Sequence, residues 1–234
     1  MNGEKQILNF GLYASLALTL LTFITWGFAM IAIPPVGPYC PGDCMTYPFS
    51  DLLAYYPRDY YWIYFVIFQL FAYLIFIVSI HFITPIENRL FSSLSVAFAL
   101  ISSIVLLIAY FVQFSVVPIS VMKGEQDGIA LLTQYNEHGI FIAMEELGYI
   151  TMSISFLFLS FIFSNKNRLE KAIRVILLAA FILTVLAFVF YAFKFGIERS
   201  YRFEVASISI NWLTTIVVGI LVSIFIKNKL KNIT

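Results

Sequence analysis

Six stretches of this chain are each long and apolar enough to cross a bilayer as a helix, which leaves few folds open to it. A hydrocarbon core about 30 Å thick takes about 20 predominantly apolar residues in α-helical form. The stretches run over about residues 11–33, 61–83, 91–117, 139–163, 172–194 and 204–226. Backbone groups in hydrocarbon find no water, so each span must satisfy its own donors and acceptors, as a helix does. A transmembrane barrel needs short strands of alternating polarity, which the sequence lacks. The expectation is an all-α, polytopic integral membrane bundle of six transmembrane helices, a single domain over residues 1–234. Composition agrees: 61% of residues are hydrophobic and 12% charged, and a water-soluble domain of that make-up would expose large apolar patches. The net charge of +1 leaves no basic surplus for nucleic acid. The first stretch is too long for a signal peptide and no small-x-small site follows it, so it reads as an uncleaved helix.

The cations set an orientation. With the N-terminus inside, the inner segments hold Lys5, Arg89, Lys166, Arg168, Lys171, Arg174, Lys227, Lys229 and Lys231. The outer segments hold only Arg58, Lys123, Lys194, Arg199 and Arg202. The positive-inside rule therefore places the chain in the cell membrane with both termini cytoplasmic. The segments 34–60, 118–138 and 195–203 then face out.

The first outer loop is rich in proline and tyrosine. Pro34, Pro35, Pro38, Pro41, Pro48 and Pro57 fix φ and remove donors, which predicts a rigid, irregular loop. Its aromatic residues, Tyr39, Tyr47, Phe49, Tyr55, Tyr56 and Tyr60, predict that it folds back onto the helix ends. In YCPGDC, Cys40 and Cys44 are spaced to close a small disulfide ring on the oxidising side. Two free thiols are the alternative, and a zinc site lacks further ligands nearby. Arg58 and Asp59, in YYPRDYYW, read as a pair at the water boundary, with gating of a pocket mouth as the functional alternative. In the second outer loop, Ile129, Leu132 and Tyr135 recur at helical spacing, which predicts a short interfacial helix.

Lipid tails are as apolar as leucine, so spans pack through small and polar residues. The third span shows such a seam in Ser92, Ser95, Ala99, Ser102, Leu106, Ala109 and Gln113. The first has Gly11, Ser15, Leu18, Thr22, Thr25 and Ala29, and the second Gln69, Ala72, Phe76 and Ser79. The fifth has Ala180, Thr184, Ala187, Tyr191 and Lys194, and the sixth Glu204, Ser207, Asn211, Thr214 and Val218.

The fourth span carries two adjacent acids in GIFIAMEELGYITM. At about 100° per residue, Ile140, Leu147, Ile150, Ile154 and Phe158 share a lipid face. The opposite face carries His138, Glu145, Tyr149 and Met152, with Glu146 at its edge. An acid inside a span costs a few kcal/mol to insert, about 2.5–3.5 at the centre and less near an interface. Lys194, Arg199 and Arg202 are the candidate counter-ions. Gln69, Gln113 and Asn211 lie in the outer half with Glu145, which predicts an outward-facing polar pocket. His81, near Glu87 and Arg89 at the inner rim, reads as structural.

The sequence has no HExxH, no metal-spaced His cluster, no Gly-rich phosphate loop and no serine elbow. No metal or cofactor is expected. The first functional reading is binding or transport of a small amphipathic molecule, with Glu145, Glu146, Gln69, Gln113, Tyr149 and Asn211 as the ligand-binding residues. The second is a lipid-active intramembrane isomerase or hydratase using Glu145, Glu146 and His138 as acid and base. The third is a sensor or assembly subunit whose carboxylates are structural. The expected partners are the lipid bilayer, a small-molecule or lipid ligand, and a second copy or a partner membrane subunit.

Overall fold

The structure is a computed structural model that describes residues 2–32 and 35–232. Among these residues every regular element is a helix, and six helices are long and apolar enough to cross a membrane. The long helices are α1 (Asn2–Ala29), α2 (Tyr61–Ile83) and α3 (Arg89–Ser115), followed by the short α4 (Val117–Lys123) and α5 (Ile129–Leu132). Then come α6 (Ile140–Ser160), α7 (Arg168–Phe195) and α8 (Ser200–Lys231).

Several helices run past the apolar stretches that announced them. α1 begins at Asn2 rather than near residue 11, and α8 extends from Ser200 to Lys231 rather than over 204–226. Backbone hydrogen bonding does not stop where hydrocarbon stops, so polar residues at either end continue the helix. The far end of α1 falls short of residue 33, and Ile33 and Pro34 lie outside the described residues. α7 starts early for a local reason. The Asn167 side chain accepts a hydrogen bond from the Glu170 backbone N–H at 2.9 Å and donates to the Glu170 carboxylate at 2.6 Å, a capping arrangement. At the end of α3, Pro118 removes a donor and blocks continuation, so α4 starts as a separate helix. Gly124, at φ +74°, closes α4 in the left-handed conformation that a side chain would resist.

Five helices close a ring in the order α1, α2, α3, α6, α8, and α7 packs outside it against α6 and α8. The polar seams face the joints of this ring. All seven seam residues of α3, from Ser92 to Gln113, are buried. Ser102 donates to the Gly148 carbonyl at 2.8 Å, and Ser155 donates to the Ser95 carbonyl at 2.8 Å, so α3 and α6 are pinned backbone to side chain. At Gly148 the Leu106 side chain occupies the space that a Cβ would need. Gly219 of α8 makes the matching close approach to Ser15 and Thr19 of α1. Many seam hydroxyls bond a carbonyl one turn back in their own helix: Thr22 to Leu18, Ser79 to Ile75, Thr184 to Ala180, Thr215 to Asn211. That contact satisfies the hydroxyl without leaving the helix.

The α7 seam departs from expectation. Ala180 and Thr184 are buried, but Ala187 and Tyr191 are only half-buried and Lys194 is exposed. Beyond Thr184 most of the helix surface is exposed, although Phe188 still meets Phe203 of α8 at a ring distance of 5.2 Å.

The segment between α1 and α2 holds three short 3-10 turns, Gly37–Tyr39, Ser50–Tyr55 and Arg58–Tyr60. Cys40 and Cys44 are disulfide-bonded. Its aromatic residues divide: Phe49 and Tyr60 are buried, Tyr55 is half-buried, and Tyr39, Tyr47 and Tyr56 are exposed. The segment between α3 and α6 meets it through Tyr135, whose ring lies 6.0 Å from that of Tyr55 and 6.4 Å from that of Tyr60.

Candidate functional site

The two segments roof a cavity of about 350 Å³ at the disulfide end of the bundle. Its roof includes Tyr39, Asp59, Gln134 and Tyr135. Deeper walls come from α1, α2, α6 and α8, and include Trp26, Trp62, Phe141, Glu145, Glu204 and Trp212. A cavity of this size with an aromatic lining falls in the size range of small-molecule sites.

Glu145 is fully buried on α6 and lies on this wall. The Tyr110 hydroxyl donates to its Oε1 at 2.6 Å. Tyr110 is in turn 2.8 Å from the Tyr149 hydroxyl, and the Trp212 indole N–H donates to Tyr149 at 3.0 Å. An indole nitrogen only donates, and each phenol has one proton. With Tyr110 committed to Glu145, Tyr149 must donate to Tyr110 and accept from Trp212. Every hydrogen bond in the relay therefore points toward Glu145. The relay links α8, α6 and α3, and its members pack as well: Trp62 lies 5.3 Å from the Tyr110 ring, and Phe141 5.7 Å.

The second acid of the pair does something else. Arg199, from the 3-10 turn Gly196–Arg199 between α7 and α8, donates to Glu146 Oε2 at 2.9 Å. Of the three candidate counter-ions, Arg199 makes this pair. Glu146 is not on the cavity wall.

His138 is not on the inward face. It is exposed, and its nearest acid is Glu137, at 3.9 Å. The reason is local: α6 begins at Ile140, and the His138 backbone N–H donates to Asn136 Oδ1 at 2.9 Å in a turn. Helical periodicity does not extend to residue 138. Gln113 is buried but serves as a clamp, donating to the Leu132 carbonyl at 2.6 Å and accepting from the Gln134 backbone N–H at 2.8 Å. Asn211 donates to the Ser207 carbonyl of its own helix at 2.8 Å. Gln69 is buried within α2. Of the six residues expected to bind ligand, Glu145 lines the cavity; Glu146, Gln69, Gln113, Tyr149 and Asn211 do not, though Tyr149 supports Glu145 through Tyr110.

The structure adds residues that the sequence reading placed elsewhere. Glu204 falls in the packing seam of α8, yet it also reaches the cavity wall that carries Glu145. Asp59 does pair with Arg58, at 2.6 Å, but the pair is lopsided: Arg58 is 58% exposed and Asp59 3%. The signal that was available lay in the acids themselves, since Glu204 falls at the edge of a span and a buried charge there needs a reason. In the roof, burial pushes the Tyr135 hydroxyl above the usual tyrosine range. Among the described residues, no group of three or more His, Cys, Asp or Glu is placed to hold a metal ion.

No family model, curated protein or solved structure matches this chain.

Proposed function

We propose that the chain is a multi-pass protein of the cell membrane that binds or transports a small amphipathic molecule in the cavity centred on Glu145. Both termini lie in the cytoplasm in this reading, and the cavity opens outward beneath the disulfide-bearing segment. The distribution of Lys and Arg between alternate ends of the bundle supports that orientation. The observation that carries the proposal is a fully buried carboxylate on the wall of an aromatic cavity, with Tyr110 bonded to one oxygen and no hydrogen-bond partner for the other among the described residues. Leaving a buried oxygen unpaired costs about 1–3 kcal/mol, and a ligand group would satisfy it.

The acid/base reading has less support. Glu146 is engaged by Arg199, and His138 lies off the wall.

The test is native mass spectrometry of the purified protein beside Glu145→Gln. A glutamine oxygen still accepts from Tyr110, so the variant is expected to fold. The wild type should retain a small molecule that the folded variant lacks. The same bound species in both forms would remove Glu145 from the site and sink the proposal.

A further inference from the structure

We infer that the cavity takes a small organic cation: an amine or quaternary ammonium group on an apolar body. The inference rests on the reading of the cavity as a binding site and adds the charge of what enters it. Asp59, Glu145 and Glu204 all lie on the wall, and no Lys, Arg or His lies on it among the described residues. Each of the three is more than nine-tenths buried, at 3%, 0% and 6% exposure, and each has a buried carboxylate oxygen with no hydrogen-bond partner among the described residues. Arg58 holds the other oxygen of Asp59, and Tyr110 the other oxygen of Glu145. Glu204 has no ion-pair partner among the described residues.

Neighbouring acids in a low-dielectric site repel. A positive guest would relieve that repulsion and pair the free oxygens. A neutral guest would leave the repulsion in place, and an anion would add to it. The walls suit the same guest. Trp26, Trp62 and Trp212 are the three tryptophans of the chain, and all three line the cavity. Indole faces attract cations more strongly than other aromatic faces do. Carboxylates together with indole rings match an ammonium group carrying apolar substituents. Such a group belongs to free amphipathic amines and also to choline-type lipid headgroups.

Because all three tryptophans line the cavity, intrinsic fluorescence reads its occupancy. The experiment titrates the detergent-purified protein with benzyltrimethylammonium, with neopentylbenzene, its neutral carbon isostere, and with phenylacetate. The ammonium compound should change the fluorescence saturably and bind at least about tenfold more tightly than the isostere. Phenylacetate should give no saturable change. Glu204→Gln should weaken the ammonium compound about tenfold or more and leave the isostere unchanged. If that variant does not fold, the comparison of charged and neutral probes on the wild type still decides. Equal affinity for the ammonium compound and its isostere would overturn the inference and leave an uncharged binding cavity standing. No saturable response to any probe would overturn both readings. Short-chain phosphatidylcholine and an uncharged diacylglycerol of the same chain length, each added to the detergent-purified protein, separate the two sources once the ammonium compound binds. Competition by phosphatidylcholine alone supports the inference and names a lipid headgroup as the competitor; competition by neither supports it with a free amine.

Discussion

The Tyr110 hydroxyl donates to Glu145 across the α3–α6 joint at 2.6 Å, and that bond is the last in a relay that begins at the Trp212 indole. The buried acid is thus held by three helices, and its other oxygen is left for the cavity.

Removing that donor should be costly. Tyr110→Phe leaves both Glu145 oxygens unpaired and strands Tyr149 without its acceptor. The expected loss is about 1–3 kcal/mol, seen as a lower thermal midpoint in detergent. Trp212→Phe, which cuts the relay at its far end, should cost less. An equal loss from the two would mean that the relay does not end on Glu145.

The two adjacent glutamates should behave differently. Arg199→Gln leaves Glu146 buried without its counter-ion, and a loss of about 1–2 kcal/mol is expected for this partly exposed pair. Adding Glu146→Gln should recover most of it, so a double-mutant cycle will show coupling. Glu146→Gln alone should leave ligand retention unchanged in the native mass spectrum, where Glu145→Gln abolishes it.

Close approach at Gly148 is required for the α3–α6 joint. A Cβ there meets Leu106, so Gly148→Ala should destabilise by about 1–3 kcal/mol despite the better helix propensity of alanine. Adding Leu106→Ala makes room and should reverse part of the loss. If Gly148→Ala proves stabilising, helix propensity outweighs packing at this joint.

The Gln113 clamp holds the segment that carries Gln134 and Tyr135 over the cavity. Gln113→Leu removes both of its bonds and leaves the Gln134 backbone N–H unpaired. Cleavage by trypsin at Lys123 should accelerate, while the spans themselves stay protected. An unchanged digestion rate would show that the roof is held by its tyrosine contacts instead.

Tyr135 provides a pH dependence. Burial raises its hydroxyl above the ordinary value of 10.0, so the folded protein holds this proton more tightly than the unfolded chain. The stability from this group is complete below pH 10.0 and is lost as pH rises above it. The hydroxyl is buried and has no hydrogen-bond partner among the described residues, so Tyr135→Phe removes nothing that is paired. The variant should be at least as stable as the wild type at neutral pH, because a buried unpaired hydroxyl costs stability, and should keep its thermal midpoint further into alkali. Parallel alkaline curves for the two would place the titrating group elsewhere.

The sequence alone determined the six long apolar helices and most of the faces they bury. Both follow from local rules: hydrocarbon demands a helix, and its 3.6-residue period sorts side chains by face. Hence the α3 seam from Ser92 to Gln113, and the inward turn of Glu145, were legible before any contact was known. The tertiary structure decided which residues surround Glu145. Trp26, Asp59, Tyr110 and Glu204 come from four separate segments, and no local period relates them to α6. The same limit explains His138 and Gln113. The first precedes the helix whose period was applied to it, and the second is committed to a loop whose path depends on the packed bundle. Local pattern fixes a side chain's direction on its own helix, but its neighbours are fixed only when the ring closes.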